Sequence, residues 1–566
     1  MTSEENTLNL AAGSLHDLLA GPQLSVIEEL LPAYLLRQRW FGAKSLTIAS
    51  ARVREWVELP GTPAAIVFLQ VAYAESAAKP DVYQLPLALT NGAAADAVRA
   101  KAPASILCSL ATASGPAILH DAAAREDVRQ ALLSLIETQT SLVATPTSNL
   151  EPRTSNLQGH PSAAFTTARG SDPLPARTGS AEQSNTSILY GNSMILKLFR
   201  RLQPGENPDA EIGRFLTEVA HYPRIPAFLG DIRATGSPDA PQSEQTTLAM
   251  LQGLIENQGD GWQFTLDQLA RYYEAVAPIP LPADPIDPID TGPPPSFLDS
   301  IGGEPLPAPA REYASPSLEA AALLGRRTAE LHLALATPSI NAAFQPEPFT
   351  ATALADSAAR VRAQIALALE ALKRALPSLP AEPADAATLI LSRRTALLAE
   401  ADAVAQIPPE QAGLRIRIHG DYHLGQVLCA RGDYFILDFE GEPARPLTER
   451  RAKQSPLRDV AGMLRSFSYA AYAALDHFTQ RHPNPARTLE PWALLWQHAV
   501  STQFLAAWRT TIASDAALNQ LAPPPVPADR LLKAYLLEKA LYELLYELNN
   551  RPAWVHLPLA GILALF

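Results

Sequence analysis

Three oxygen-bearing side chains, Asp421, Gln426 and Asp438, are the residues whose types and spacing in this chain best suit catalysis and metal binding. They fall in RIRIHGDYHLGQVLCARGDYFILDFEGEP, residues 415–443, which predicts strand, polar loop, strand, tight turn and strand. A β-hairpin over this stretch would bring the three side chains to one end of the motif. Two carboxylates and an amide oxygen suit Mg²⁺, a hard cation that takes oxygen ligands and leaves room for phosphate oxygens. The alternative is a surface hairpin with scattered acidic residues.

The spacing resembles the catalytic and metal loops of protein kinases and, more closely, of aminoglycoside phosphotransferases. In such loops an Asp accepts the proton of the attacking hydroxyl and an amide a few residues later holds a metal. An Asp after the next strand then bridges the metal to the phosphates. The resemblance implies that Asp421 is the catalytic base, and that Gln426 and Asp438 hold Mg²⁺ with Glu440 as a further ligand.

Two departures from the common kinase pattern resemble one family in particular. Gln426 stands where most of these kinases have Asn, and residues 438–441 read Asp-Phe-Glu-Gly where Asp-Phe-Gly is usual. Both departures, with Glu442 and Pro443 following, are similar to the maltokinases, bacterial enzymes that phosphorylate maltose at its anomeric hydroxyl. The resemblance implies an α+β, bilobal protein-kinase-like (aminoglycoside phosphotransferase-like) fold with an N-terminal cap subdomain.

The segment from Ser187 to Phe199 predicts a β-hairpin that carries a lysine. Gly191-Asn192 is a turn signal, and Lys197 lies in the apolar run that follows. A lysine inside an apolar strand is costly unless its ammonium meets an anion, and the phosphates of ATP would supply one. The alternative is an edge-strand lysine that points to water. No Gly-rich loop precedes the strand, but a polar cluster could cap phosphates in its place: Ser184, Asn185, Thr186 and Ser187.

An acidic partner for Lys197 is expected on the helix that begins near Asn207-Pro208-Asp209. Glu211 is favoured, partly because maltokinases have a similar NPD-x-E motif, and Glu218 on nearly the same face is the alternative. Either could instead be an ordinary solvated helix acid. After the next predicted strand, Gln252-Gly253-Leu254 predicts a hinge whose backbone would pair with the adenine edge of ATP.

The predicted C-terminal helix, residues 529–551, carries a stripe of aromatic, charged and amide side chains at three- and four-residue spacing. On pattern alone an amphipathic interface is the simpler interpretation, although such a face also suits a sugar. The end of the chain is similar to the KALYE-x-x-YE…NRP-x-W ending of maltokinases, whose helix lies along the sugar site. The residues thereby implied as disaccharide contacts are Lys539, Tyr542, Glu543, Tyr546 and Trp554, and His423 of the catalytic loop is assigned to the same site.

The N-terminal region predicts a small β-rich module. QRWFGAKS precedes three alternating runs, 48–59, 64–74 and 81–89, which together predict an antiparallel meander. Maltokinases carry an N-terminal cap that begins in much the same way. Trp40 and Lys44 are interpreted as a packed aromatic side chain and a solvated lysine.

The predicted domains are a cap over 1–110, an intermediate subdomain with the ATP-binding N-lobe over 111–253, and a mainly helical C-lobe over 254–566. Within these, Ala-rich residues 92–139 predict mostly helix. Residues 140–181, dense in Ser, Thr, Pro, Asn and Gly, predict a flexible insertion, and 277–317 a Pro-rich surface loop.

Two C-lobe residues are assigned supporting positions. His332 lies beside Leu331 and Leu333 and is interpreted as a core or interface histidine. Asp459 opens a helix, where it could accept hydrogen bonds from N–H groups of the catalytic loop, as in kinase-like folds.

Charge and composition exclude some classes of function. The net charge of −13 argues against a nucleic-acid partner. Two distant cysteines, Cys108 and Cys429, favour a reducing cytoplasm over a disulfide framework. The sequence shows neither a signal peptide nor a run of eighteen apolar residues, so no membrane span is expected.

The prediction is therefore ATP- and Mg²⁺-dependent phosphorylation of maltose to maltose 1-phosphate, which would feed α-glucan synthesis. The alternatives are a kinase for another sugar or aminosugar, such as glucosamine, and a catalytically silent kinase-like binding module. Association with a maltose-producing trehalose synthase is implied by the family resemblance alone.

Overall fold

The structure is a computed structural model of the 566-residue chain. It describes residues 7–9, 13–75, 79–112, 115–147, 155–179, 184–236, 245–279, 306–443, 445–482 and 486–565. The chain divides into two compact units. The first comprises Met1–Glu218 with Pro226–Glu256, and the second comprises Val219–Ile225 with Asn257–Phe566.

The first unit is built around two largely antiparallel sheets. Its strands are β1 (Thr7–Asn9), β2 (Ile48–Glu58), β3 (Ala64–Tyr73), β4 (Asp81–Asn91), β5 (Ile106–Thr112), β6 (Gly115–Asp121), β7 (Ser141–Val143), β8 (Thr145–Pro146), β9 (Asn156–Pro161), β10 (Ala176–Thr178), β11 (Thr186–Tyr190), β12 (Met194–Leu198), β13 (Arg201–Leu202), β14 (Phe228–Thr235) and β15 (Thr246–Gly253). Its helices are α1 (Leu15–Ala20), α2 (Leu24–Arg37), α3 (Gly92–Lys101), α4 (Glu126–Glu137), α5 (Phe165–Arg169) and α6 (Pro208–Glu218).

The first sheet has the order β1-β5-β6-β4-β3-β2-β8, and β13 also pairs with β4. The predicted meander is confirmed as β2–β3–β4, all antiparallel neighbours. β3 is apolar at almost every position because both of its faces are buried. Trp40 is buried with its ring centroid 6.0 Å from that of Tyr83, and Lys44 is exposed, as interpreted from the sequence.

Two predictions for the first unit are wrong in part. Residues 92–139 contain α3 and α4 as expected, but also the hairpin β5–β6, because an Ala-rich composition does not exclude a strand. The segment 140–181, predicted to be a flexible insertion, contributes β9 and β10 to the second sheet, where they pair with β14 and β11. Residues 148–154 and 180–181 of that segment lie outside the described residues.

The second sheet, ordered β10-β11-β12-β15-β14-β9-β7, positions the predicted nucleotide lysine. Lys197 lies on β12, which is hydrogen-bonded to β11 on one side and to β15 on the other. The turn between β11 and β12 contains Gly191 at φ +53°, a conformation that favours glycine. A lysine on an internal strand is therefore the observed arrangement, and the edge-strand alternative is excluded.

The second unit is mainly helical, with two short hairpins. Its helices are α7 (Gly261–Val276), α8 (Ala308–Tyr313), α9 (Ser315–Leu335), α10 (Ala351–Ala375), α11 (Ala381–Ser392), α12 (Arg394–Ala405), α13 (Leu447–Arg450), α14 (Leu457–Arg481), α15 (Ala486–Ala513), α16 (Pro525–Asn550) and α17 (His556–Leu563). Its strands are β16 (Glu347–Pro348), β17 (Leu414–Arg415), β18 (Val427–Ala430) and β19 (Asp433–Ile436).

Large aromatic side chains fill the core of the second unit. Trp492, Trp496 and Trp508 of α15 are almost completely buried, and the Trp496 ring contacts Phe467 of α14. Of the predicted Pro-rich loop 277–317, residues 280–305 lie outside the described residues, and its end forms α8 and the start of α9. In the described ranges, no helix combines the length and apolar character needed to cross a bilayer.

Candidate active site

The hairpin β18–β19 brings the predicted metal ligands together. Val427 pairs with Ile436 at the open end of the hairpin, so the residues just outside it, Gln426 and Leu437, are also neighbours. The Leu437 N–H donates to the Gln426 carbonyl at 3.1 Å. One residue further, Gln426 Nε2 donates to Asp438 Oδ2 at 2.8 Å. The amide and the carboxylate therefore meet as the motif predicts.

The oxygen donors at this end of the hairpin fit a hard divalent cation. Carboxylate oxygens of Asp438 and Glu440 lie within 4.8 Å of each other. Asp438 has φ +69°, a backbone conformation that costs energy for a non-glycine residue and that is common at functional sites. The two carboxylates are donors that Mg²⁺ prefers, and the Gln426 amide, whose nitrogen faces Asp438 in this structure, would present its oxygen to an ion after rotation of the amide group.

Asp421, the predicted base, is held by a lysine of α16. Asp421 Oδ1 accepts from Lys539 Nζ at 3.1 Å, and the same ammonium donates to Glu442 Oε1 at 2.8 Å. The ammonium also lies 5.0 Å from the ring centroid of Tyr542. Asp421, Glu442, Lys539 and Tyr542 line one small cavity of about 50 Å³.

The charges around Lys539 stabilise one another. Burial opposes ionisation of Glu442, but Lys539 and Arg445 outweigh it and hold its pKa at about 2. Burial likewise lowers the pKa of Lys539, but Asp421 and Glu442 together raise it well above its usual range. Lys539 is therefore a permanent cation between two carboxylates.

A buried chain of hydrogen bonds fixes the loop that carries Asp421. Asp459 accepts from the backbone N–H groups of His419 at 2.8 Å and Gly420 at 2.9 Å, which confirms its predicted position. His332 is fully buried, and its Nε2 lies 3.1 Å from Asp459 Oδ2. Trp508 Nε1 donates to His332 Nδ1 at 2.9 Å. Since Nδ1 accepts, the ring proton must be on Nε2, from which it donates to Asp459.

The other predicted sugar contacts do not line the Asp421 cavity. Glu543 pairs with Arg465 of α14 at 2.7 Å, and burial raises its pKa despite this partner. Tyr546 is 46% exposed, and both its ring and that of Trp554 lie about 5 Å from the Arg551 guanidinium. Within the catalytic loop, His423 Nδ1 accepts from the Gly425 N–H at 3.1 Å, and burial lowers the pKa of this histidine.

In the first unit, Lys197 is buried and ion-paired. Lys197 Nζ lies 3.0 Å from Asp209 Oδ2, in the first turn of α6. Ser187 is the cross-strand partner of Lys197 in the β11–β12 ladder, so both side chains lie on the same face of the sheet. The Ser187 hydroxyl is buried with no hydrogen-bond partner among the described residues. A hydroxyl and an ammonium on one face suit a phosphate group.

The remaining predicted nucleotide residues have varied surroundings. Glu211 is buried on α6, whereas Glu218 is exposed as a solvated helix acid. Ser184 is exposed, Asn185 is partly buried, and Thr186 Oγ1 accepts from Arg200 Nε at 2.8 Å. Gln252 is a β15 residue, and the Leu254 N–H donates to the Ser193 carbonyl. An adenine contact at the predicted hinge would therefore use a backbone group other than that N–H.

Sequence reasoning missed several charged residues of both sites. Asp209 was read only as a helix-start signal, although its place beside Pro208 in the first turn of α6 puts it near β12. Arg445 and Glu538 carry no prediction, and Glu442 enters only as part of the resemblance to the maltokinases. Glu442 follows the metal motif directly and Glu538 precedes Lys539, so adjacency to predicted site residues was the available signal.

The chain is similar to known proteins in its N-terminal region, in its sequence and in its fold. Residues 34–124 match the maltokinase N-terminal cap domain. The chain is 27% identical over 403 residues to a glucosamine kinase from Streptacidiphilus jiangxiensis, which covers 70% of this chain and 76% of that protein. It is 25% identical over 417 residues to a glucosamine kinase from Mycolicibacterium smegmatis, which covers 71% and 82%.

A solved structure shares the fold. A glucosamine kinase in complex with glucosamine, ADP and inorganic phosphate matches with a TM-score of 0.59 at 20% identity, covering 95% of this chain and 99% of the other. The predicted α+β kinase-like fold with an N-terminal cap is confirmed. The cap and the fold together support the maltokinase-type classification that the motifs indicate. The comparisons also support a sugar kinase and leave the sugar open.

Proposed function

We propose that this protein transfers the γ-phosphoryl group of ATP to the anomeric hydroxyl of maltose, giving maltose 1-phosphate and ADP. The observation that carries this proposal is Asp421, a partly buried carboxylate whose loop is fixed by Asp459 and which lines a cavity beside α16. Positioned in this way, Asp421 orients the hydroxyl and accepts its proton. A general base contributes roughly 10² to 10⁴ in rate.

The residues that would hold the metal, the nucleotide and the sugar are assigned from their donor and acceptor groups. Gln426, Asp438 and Glu440 would hold Mg²⁺, which when bound offsets charge on the phosphates. Lys197 and the hydroxyl of Ser187 would hold phosphate oxygens of ATP. Hydrogen bonds from Lys539 and Tyr542 would orient the sugar at the cavity.

Lys539 is our reason for preferring a neutral sugar. Its ammonium already lies between the carboxylates of Asp421 and Glu442, the groups that would attract the ammonium of a protonated aminosugar. A second cation at this place would be repelled by the first, whereas the hydroxyls of maltose can accept from Lys539 and donate to the carboxylates. The cavity lining as a whole has four basic and four acidic side chains, so it offers no net negative charge to an aminosugar, and this balance favours a neutral substrate.

Glucosamine is the second candidate substrate, because both curated relatives are named glucosamine kinases. Both candidates share the nucleotide, the metal and Asp421, so they differ only at the sugar. Association with a maltose-producing trehalose synthase, which would supply the substrate, rests on the family resemblance alone, whereas a cytoplasmic location rests on the two distant cysteines, Cys108 and Cys429.

The test is ADP release with Mg²⁺-ATP and a panel of maltose, glucose, glucosamine, trehalose and an aminoglycoside. Turnover with maltose that yields an acid-labile phosphate is the expected result. Turnover with glucosamine alone would show that glucosamine, and not maltose, is the substrate. The assignment of the catalytic residues would be unchanged. Absence of turnover across the panel, with ATP still bound, would favour a silent binding module.

Asp421→Asn is the matched variant for the base. It keeps the size of the side chain and its ability to accept from Lys539, but it cannot take up a proton from the sugar. We expect normal folding and ATP binding with turnover lowered by roughly 10² or more. Turnover near that of the unmodified protein would remove Asp421 from the mechanism.

A further inference from the structure

A second cavity lies in the helical unit, between α10, α16 and the segment that leads into α14. Its volume is about 100 Å³, enough for roughly three waters or one small tetrahedral ion. Gln454, Arg458 and Tyr535 line both this cavity and the one that contains Asp421. None of the predicted site residues lines it, so the proposed reaction assigns it no role.

Cations outnumber acids in the lining of this cavity. Four basic side chains line it, Arg360, Arg415, Lys453 and Arg458, against two acidic ones, Asp356 and Glu449. Asp356 is exposed to solvent, and Glu449 is already paired with Arg445. Carboxylates outside the lining partner three of the cations, since Arg415 and Lys453 share Glu347 and Arg458 pairs with Glu538, so the uncompensated positive charge is chiefly that of Arg360.

Among the residues that the structure describes, Arg360 has no carboxylate partner. Its Nη2 donates to Ser357 Oγ at 3.0 Å, and its Nε is buried with no acceptor in that part of the chain. Burial, and then the neighbouring Arg458 guanidinium, lowers the pKa of Arg360. Arg415 pairs with Glu347 through Nη2 at 3.1 Å, but its Nε is likewise buried and unpaired. Two guanidinium groups therefore have N–H donors to spare.

The helix α14 adds to the positive potential. Arg458 of its first turn and Ser455, which precedes the N-cap Pro456, line the cavity. Arg458 is itself paired with Glu538 at 2.9 Å and stacks on the Tyr535 ring at 4.4 Å, so it is fixed in place. The N-terminal end of a long helix carries partial positive charge and favours anions.

We propose that this cavity is a binding site for a tetrahedral oxyanion, free phosphate or the phosphate group of an ester, held chiefly by Arg360 and Arg415. An anion here would accept hydrogen bonds from the guanidinium groups that line the cavity and would supply a negative partner for Arg360. The site does not depend on which sugar the protein phosphorylates. It lies next to Asp459, which follows Arg458 and holds the catalytic loop.

Calorimetric titration with inorganic phosphate tests the site, at an ionic strength balanced with chloride so that general screening is constant. Arg360→Met removes the unpaired guanidinium and keeps an apolar side chain. Arg362→Met is the control, because Arg362 lies on the same helix and pairs with Asp402 at the surface, away from the cavity. We expect Arg360→Met to raise the Kd of phosphate about tenfold or more, as for loss of one charge-assisted hydrogen bond, and the control to leave it unchanged.

A parallel titration with glucose 1-phosphate separates the two sources of the anion. Binding of both ligands, each weakened by Arg360→Met, identifies a site open to esters. Binding of phosphate alone identifies a site for the free ion. Equal phosphate affinity in the unmodified protein and in Arg360→Met would place phosphate elsewhere and overturn the proposal, as would no binding to the unmodified protein.

A crystal soaked in selenate provides a readout that does not depend on the stability of the variant. An anomalous selenium peak within hydrogen-bond reach of Arg360 and Arg415 is the expected result. Peaks confined to other places in the molecule would contradict the assignment.

Discussion

Lys539→Met is the substitution that most directly tests the choice between a neutral sugar and an aminosugar. The Lys539 ammonium donates to Asp421 at 3.1 Å and to Glu442 at 2.8 Å. Methionine keeps the unbranched apolar stem and removes the charge. The variant therefore leaves two carboxylates at the cavity with no cation between them.

The effect on stability follows from the pKa of Glu442. Its usual pKa is 4.5, and Lys539 and Arg445 hold it at about 2 against the opposing effect of burial. At about 1.4 kcal/mol per pH unit, the difference of 4.5 − 2 corresponds to about 3 kcal/mol in favour of the ionised form. Since two cations share this stabilisation, we expect Lys539→Met to lower the free energy of unfolding by about 1–2 kcal/mol at pH 7.

The effect on the choice of sugar follows from repulsion between cations. Two ammonium groups about 4 Å apart repel each other by about 4 kcal/mol at an effective dielectric constant of 20. Removal of one of them makes the same carboxylates available to an aminosugar. We expect the ratio of kcat/KM for maltose to that for glucosamine to fall by about tenfold or more, since about 1.4 kcal/mol suffices for tenfold.

The assay measures kcat/KM for both sugars in the unmodified protein, in Lys539→Met and in Lys533→Met. Lys533 is a matched control because it lies on the same helix and pairs with Glu400 at 2.7 Å, away from Asp421. The control should keep the sugar ratio of the unmodified protein. A folded Lys539→Met protein in which the ratio of kcat/KM for the two sugars is unchanged would refute the electrostatic reasoning, even if turnover with both sugars had fallen.

Four further outcomes follow from the geometry. Lys197→Met should weaken ATP binding in a nucleotide titration, and Arg201→Met, which loses only a surface pair with Asp81, should not; equal affinities would remove Lys197 from the site. Asp459→Asn should lower kcat more than it raises KM, because one acceptor oxygen for the catalytic-loop N–H groups is lost; a change in KM alone would contradict this role. Because the folded pKa of Glu442 is depressed, its contribution is present above pH 4.5 and is lost as the pH falls toward 2, so Glu442→Gln should flatten the acid limb of a denaturation series over that window; an unchanged limb would show that other groups dominate. Chelation of divalent cations should abolish turnover and added Mg²⁺ should restore it, whereas full turnover in chelator would contradict a metal at Asp438.

Local sequence predicts the hairpin and the meeting of Gln426 with Asp438 because everything needed lies within about two dozen residues. The turn signal at Arg431-Gly432-Asp433 fixes the register of β18 and β19, and that register alone brings Gln426 to Asp438. The apolar run around Lys197 predicts its strand in the same way. The position of Asp459 is predicted from its place at the start of a helix together with the resemblance to kinase-like folds, and its contacts with the catalytic loop agree with that prediction.

Contacts between distant segments could not be predicted from local pattern. Trp508 donates to His332 across 176 residues, and nothing in the sequence around either residue marks the other. The short strands β9 and β10 lack a clear alternating pattern in the sequence. Each gains its stability from pairing in the second sheet, so the local pattern does not predict it. The spacing of the C-terminal stripe predicts that Lys539 and Glu543 lie near each other along α16, but it does not predict their partners. Lys539 pairs with Asp421, whereas Glu543 pairs with Arg465.

The buried charges behind Asp421 are better explained by positioning than by stability. Glu538 is 4% exposed and pairs with Arg445 at 3.2 Å and Arg458 at 2.9 Å, while Arg445 also pairs with Glu442. Burying such pairs costs desolvation that their attraction often only offsets, so an apolar set of similar volume would fold about as well. An apolar set, however, could not hold Glu442 against Lys539 and thereby direct the ammonium at Asp421. The chain retains a network of little net stabilising value because the network orients the one carboxylate on which the proposed chemistry depends.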